Sequence, residues 1–142
     1  MEIFHKKCYN IMGTLSIVKT TKGMRFGGYT ERLWKYDGYP QKDAKDICFC
    51  LSLDLLKIYN FNDKYSYSIK CDYDKYGHGP WFYDGSVTFF EVYKANSSLF
   101  GRCNYRTKNE SFGKFDTDYE ITSGNNEFSV TELEVFQISF DN

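Results

Sequence analysis

Proline is scarce in this chain, with 2 residues in 142, and glycine is moderate at 11. That excludes a disordered or low-complexity polymer, which draws heavily on both. Long apolar runs are missing too. Nowhere do about 18 apolar residues follow one another, which excludes a transmembrane helix. The opening Met1-Glu2-Ile3-Phe4-His5-Lys6-Lys7 carries no apolar targeting run. Neither sign of charge dominates: 18 basic residues face 19 acidic ones, a formal net charge of −1. No overall field therefore draws the chain to nucleic acid or to an anionic membrane. A disulfide framework is lacking as well, because the five cysteines (Cys8, Cys48, Cys50, Cys71 and Cys103) are odd in number and show no framework spacing. Reduced thiols in a cytoplasmic protein fit that pattern.

What the chain has in abundance is aromatic side chains, 20% of all residues, from 13 Tyr, 13 Phe and 2 Trp. Such residues favour pleated, half-buried surfaces. Strand periodicity accompanies them. Tyr65, Tyr67, Ile69, Cys71 and Tyr73 alternate with Ser66, Ser68, Lys70, Asp72 and Asp74, the pattern of a strand with one wet face. Ile47, Phe49, Leu51 and Leu53 share one face of a second strand, with Cys48, Cys50 and Ser52 opposite; both faces are nearly apolar, which predicts burial on two sides. Segments 15–19 and 24–29 flank Thr20-Thr21-Lys22-Gly23, a hairpin turn in which glycine supplies positive φ. Val87–Tyr93 and Leu99–Tyr105 form another pair around Asn96-Ser97-Ser98. Glu134–Phe140 closes the chain as a strand. Helix is expected only at Ile3–Tyr9 and in one turn at Ser129-Val130-Thr131-Glu132, which matches a capping box. The stretches 35–44, 75–86 and 106–127 read as loops. The expected fold is mainly β, a β-rich α+β domain: a two-sheet antiparallel β-sandwich with short peripheral helices, a single domain over residues 1–142.

Few motifs carry chemistry. Cys48-x-Cys50 shares a strand face, but structural zinc wants four ligands at wider spacing, so these are read as core thiols and no metal or other cofactor is expected. His78, in Tyr76-Gly77-His78-Gly79-Pro80-Trp81, sits on a glycine-flanked loop near Asp84 and Ser86. It could serve a hydrolase-like enzyme as general base, or a cysteine could serve a thiol-based one. No nucleophile elbow accompanies it. Gly77, Gly79 and Gly85 lack the lysine and the strand–loop–helix setting of a phosphate cradle. Arg32-Leu33-Trp34-Lys35-Tyr36 and Arg102-Cys103-Asn104-Tyr105-Arg106 could stack on single-stranded bases, as a nucleic-acid-binding regulator would. The balanced charge weighs against that. Trp34, Trp81 and Tyr83 read either as core or as a docking surface.

Several stretches, taken in order, resemble the TLDc domain of the oxidation-resistance proteins. Gly13-Thr14-Leu15-Ser16-Ile17-Val18 through Met24-Arg25-Phe26-Gly27-Gly28-Tyr29-Thr30 opens the likeness. Trp34 follows, then Lys42-Asp43 leading to Phe49-Cys50-Leu51-Ser52-Leu53, then Gly77-His78-Gly79-Pro80. Phe128-Ser129-Val130-Thr131-Glu132-Leu133-Glu134-Val135-Phe136-Gln137-Ile138 closes it. The resemblance implies a β-sandwich that acts in oxidative-stress protection without catalysis. It further implies a protein partner, for several members the vacuolar proton-pumping ATPase (V-ATPase), and no membrane insertion or small-molecule substrate. Glu132 and Glu134 match the family's closing segment and read either as a helix-cap glutamate followed by a strand-edge charge or as a partner contact. Where relatives carry consecutive glycines after Gly-Pro, this chain has Trp81-Phe82-Tyr83-Asp84-Gly85. The resemblance also implies a helical segment ahead of Phe4-His5-Lys6-Lys7-Cys8, and on that expectation part of one flank is uncovered.

Overall fold

The structure, a computed structural model, describes residues 2–34, 48–60, 69–70, 78–83, 88–95, 97–103, 120–122, 124 and 126–139. In chain order these form helix α1 (Glu2–Cys8) and strands β1 (Thr14–Thr20), β2 (Arg25–Thr30), β3 (Cys48–Ser52) and β4 (Lys57–Asn60). The two-residue β5 (Ile69–Lys70), then β6 (His78–Tyr83), β7 (Thr88–Ala95) and β8 (Ser98–Arg102) follow. A 3-10 turn at Glu120–Thr122 precedes the last strand, β9 (Glu127–Gln137). The fold is mainly β. The expected strand Tyr65–Tyr73 lies outside the described residues except for Ile69 and Lys70.

All the named strands belong to one antiparallel series, β4-β3-β2-β1-β9-β8-β7-β6-β5. Two separate sheets were expected, and this series replaces them. The halves nevertheless meet face to face. Phe26 on β2 and Phe90 on β7 are four strands apart in the order; in a flat sheet that is ~19 Å. Their ring centroids lie 5.4 Å apart, edge to face. The series must therefore turn over on itself, and β9 is where it does so. Its first residues pair with β8 (Leu99↔Val130 to Arg102↔Glu127), and its later ones with β1 (Thr20↔Val130 to Thr14↔Gln137). The register shifts between Lys19 and Thr20, leaving Thr131 as the extra residue of a bulge. Bulges let one strand pass from one packed layer to the other.

Small residues make the face-to-face packing work. Ser16, Gly28 and Cys50 are neighbours across β1, β2 and β3, and they leave a trough on the inner face. Phe82 from β6 fills it: a Cβ on Gly28 would stand 2.6 Å from that ring. Phe82 then stacks on Phe90 at 4.9 Å. Gly101 plays the same part for Phe128, whose ring meets Phe26 edge-on at 5.2 Å. Inward positions on β1 are Thr14, Ser16, Val18 and Thr20, while Leu15, Ile17 and Lys19 face outward, half-buried. On β3, Cys50 and Ser52 are buried, whereas Phe49 and Leu51 are only half-covered; Leu53, expected on the same face, lies just past the strand and is exposed. The expectation of burial on both faces fails there because no described element lies over the outer one.

Helix α1 closes one end of the core. Phe4, His5 and Cys8 are its buried residues, and Phe4 packs edge-on against Trp34 at 5.2 Å. The β1–β2 turn is as expected: Gly23 adopts φ 84° and its N–H donates to the Thr20 carbonyl at 2.9 Å. The helical turn expected at Ser129–Glu132 is absent. β9 runs straight through it, because two neighbouring strands offer more hydrogen bonds than a four-residue cap can.

Substituting Gly101→Ala would place Cβ 2.2 Å from the Phe128 ring and 2.7 Å from the Glu91 carbonyl oxygen. We expect a loss of about 1–3 kcal/mol in a urea-unfolding measurement, the usual cost of overpacking.

Candidate functional site

Candidate residues divide between the core and the surface. Trp34 is wholly buried; its indole N–H donates to Thr14 Oγ1 at 2.8 Å, and its ring meets Phe82 edge-on. It is therefore withdrawn as a docking residue, because a ring needed for the core cannot reach a partner. Trp81 and Tyr83 are half-buried, 6.2 Å apart edge to face, and the Trp81 N–H donates to Thr88 Oγ1 at 3.0 Å. Gly79 is buried within β6. Gly77 and Asp84 lie outside the described residues, as does Ser86.

His78 is not on a loop: it begins β6 and pairs with Tyr93 across the ladder. Its imidazole lies parallel to Trp81 at 5.8 Å, and its Nδ1 faces Glu91 Oε1. Glu91 is only 1% exposed. Arg102 donates to its other oxygen, Oε2, at 2.9 Å and lies over the Tyr93 ring. Nε2 of His5 meets the His78 carbonyl oxygen, tying α1 to β6. The buried Glu91 side chain thus has a partner on each oxygen, Arg102 on one and His78 on the other, in place of water. Its role as seen is to fix β6, β7 and β8 to one another. Sequence reasoning missed Glu91, although a signal existed: it is the lone charge inside Phe89-Phe90-Glu91-Val92-Tyr93.

The cysteines are positioned for packing. Cys8, Cys50 and Cys103 are buried and Cys48 is half-buried. Burial pushes the Cys50 thiol well above its ordinary value, and Cys48 and Cys103 push it further. Burial raises Cys8 too, against a smaller opposing effect of Lys7. A protonated thiol is a poor nucleophile, so neither of these two is set up to scavenge peroxide. Among the described residues no group of three or more His, Cys, Asp or Glu could hold a metal ion.

The exposed candidates lie on β9. Glu132, Glu134 and Phe136 project from one face of the strand, all exposed. Across β1 they stand opposite Lys19, Ile17 and Leu15. Lys19 Nζ reaches Glu132 Oε1 at 3.1 Å. Glu134 makes no ion pair with a described residue. A second exposed surface is the β3–β4 turn and the start of β4, where Leu55, Leu56 and Ile58 stand in solvent, Leu56 at 90% exposure and φ 51°. Arg25 holds that turn: its backbone N–H and its guanidinium both donate to the Asp54 carboxylate at 2.6–3.0 Å. These hydrogen bonds, the backbone one foremost, hold the Asp54 carboxyl below its ordinary value.

Fold and surface together define a β-rich domain that offers a charged strand and an apolar turn on a rigid frame. The sequence matches the TLDc domain family over residues 1–139, and the chain belongs to that family. No curated protein matches it. Among the described residues no helix is long and apolar enough to cross a membrane.

Because the folded Cys50 thiol keeps its proton where an unfolded one ionises, its contribution to stability is full below about pH 9, the ordinary value of 9.0, and is lost as pH rises further. We expect Cys50→Ala to show a shallower alkaline decline in urea-unfolding free energy. Native Cys50 should also resist iodoacetamide at neutral pH, as read by mass spectrometry.

Proposed function

We propose that this TLDc domain is a non-catalytic interaction module that docks onto a protein partner through β9 and serves oxidative-stress protection. The two halves of its sheet act as the layers of a rigid sandwich. The observation that carries this reading is the exposed row Glu132, Glu134 and Phe136, held on a strand that both halves of the sheet share. A rigid strand presents its side chains without the ordering cost of a mobile loop. The client that family membership suggests is the vacuolar proton-pumping ATPase, met in the cytoplasm.

Catalysis is the weaker reading. His78 Nδ1 is committed to Glu91, and the Cys50 thiol is held protonated. Nucleic-acid binding is weaker too, since Arg102 is engaged by Glu91 and Tyr93 and the net charge is −1.

The test is a pull-down from lysate with the immobilised domain. Recovery of proton-pump subunits by the wild type, and loss of at least about tenfold with Glu132→Arg/Glu134→Arg, is the expected result. Both side chains are exposed, so the melting temperature should stay within a few degrees. Repeated failure to recover pump subunits would remove that client. Recovery untouched by the double substitution would remove β9 as the contact.

A further inference from the structure

β9 is covered unequally by its neighbours. β8 runs along one edge only as far as Val130, while β1 occupies the opposite edge from Val130 to Gln137. Among the described residues no strand lies along the β8-side edge of Thr131–Gln137. In an antiparallel strand, neighbouring residues direct their N–H and C=O groups to alternate edges. The stretch therefore offers a row of main-chain donors and acceptors on its uncovered side. Its exposure agrees: Thr131, Glu132, Glu134, Phe136 and Gln137 are all exposed, although β9 is the middle strand of the series.

The side chains along that edge specify what fits it. Leu133 and Val135 point inward, packed against the core and only partly covered. Glu132 and Glu134 point outward. On the β1 side Lys19 already shows how a neighbouring strand meets this row, through its 3.1 Å contact with Glu132. Glu134 stands opposite Ile17 and has no such cation among the described residues.

We propose that the open edge of Thr131–Gln137 accepts an extended segment of a partner as an added strand, and that this segment alternates basic with apolar residues. Its apolar side chains extend the core beside Leu133 and Val135, and its basic ones lie across from Glu132 and Glu134. Main-chain hydrogen bonds supply affinity and alternate side chains supply specificity, the usual division in strand addition. A second copy of this chain fits poorly. Two such edges paired antiparallel would set glutamate against glutamate, and like charges directly opposite are destabilising. The bulge at Thr131 and the outward carboxylates thus keep copies apart while leaving the edge open to a basic strand.

The proposal rests on the docking reading above, and its test is independent of the client. Fluorescence anisotropy would follow a labelled peptide of about nine residues alternating lysine and valine. We expect saturable binding, about tenfold or more tighter than to a peptide of the same composition in scrambled order. N-methylation of alternate peptide amides should abolish it, and Glu132→Lys/Glu134→Lys should transfer preference to a glutamate–valine peptide. Equal binding of the scrambled peptide, indifference to N-methylation, or dimerisation through β9 in place of peptide binding would each overturn the proposal. Pump subunits recovered by a domain that binds no alternating peptide would sink the added strand alone. Peptide binding without pump recovery would sink only the client.

Discussion

The meeting of Phe82 with the trough left by Ser16, Gly28 and Cys50 is the contact on which this fold depends. A side chain on Gly28 would collide with the Phe82 ring, so the two halves of the sheet can close only because β2 is bare at that point. Phe26, Phe90 and Phe128 interlock around the same junction by edge-to-face and stacked contacts. Buried rings of this size dominate the apolar area a small domain can remove from water. Trp34 and α1 then seal one end, and the Glu91 cluster ties β6, β7 and β8 together from the opposite face.

Closing one continuous series of strands onto itself has a consequence for the surface. Some strand must belong to both halves, and β9 is that strand. Once it leaves β8 it keeps β1 on one side, and among the described residues the other side stays open. The outward carboxylates at Glu132 and Glu134 are therefore not decoration on a crowded face; they border an edge. Surface and fold are linked at the same place, since the bulge at Thr131 follows directly on Val130, the last residue paired with β8.

Local patterns were legible wherever a hairpin or a short helix decides them. The β1–β2 turn follows from Gly23, β7 and β8 follow from two aromatic-rich runs joined by a polar turn, and α1 falls where a short helix was expected, at Ile3–Tyr9. Features set by distant packing were not legible. Ser129-Val130-Thr131-Glu132 has the composition of a helix cap, yet strands on either side recruit it into β9. His78, flanked by glycine, reads as a loop residue, but Tyr93 across the ladder and the buried Glu91 draw it into β6. Trp34 has basic neighbours in sequence and still lies at the centre of the core, since its partners Thr14 and Phe82 are remote along the chain. One series of strands or two is a matter of a single shared strand, which alternation cannot report. The β9 carboxylates were visible in sequence; the edge beside them was not.

Residue-resolved hydrogen exchange along β9 is the most direct test of that shared, half-open strand. Pairing with β1 on one side alone should make protection alternate from Glu132 to Gln137, every second amide slow and the ones between fast. Uniformly slow exchange from Glu132 to Gln137 would show the edge already occupied and would contradict the account. Uniformly fast exchange would contradict the pairing with β1 itself.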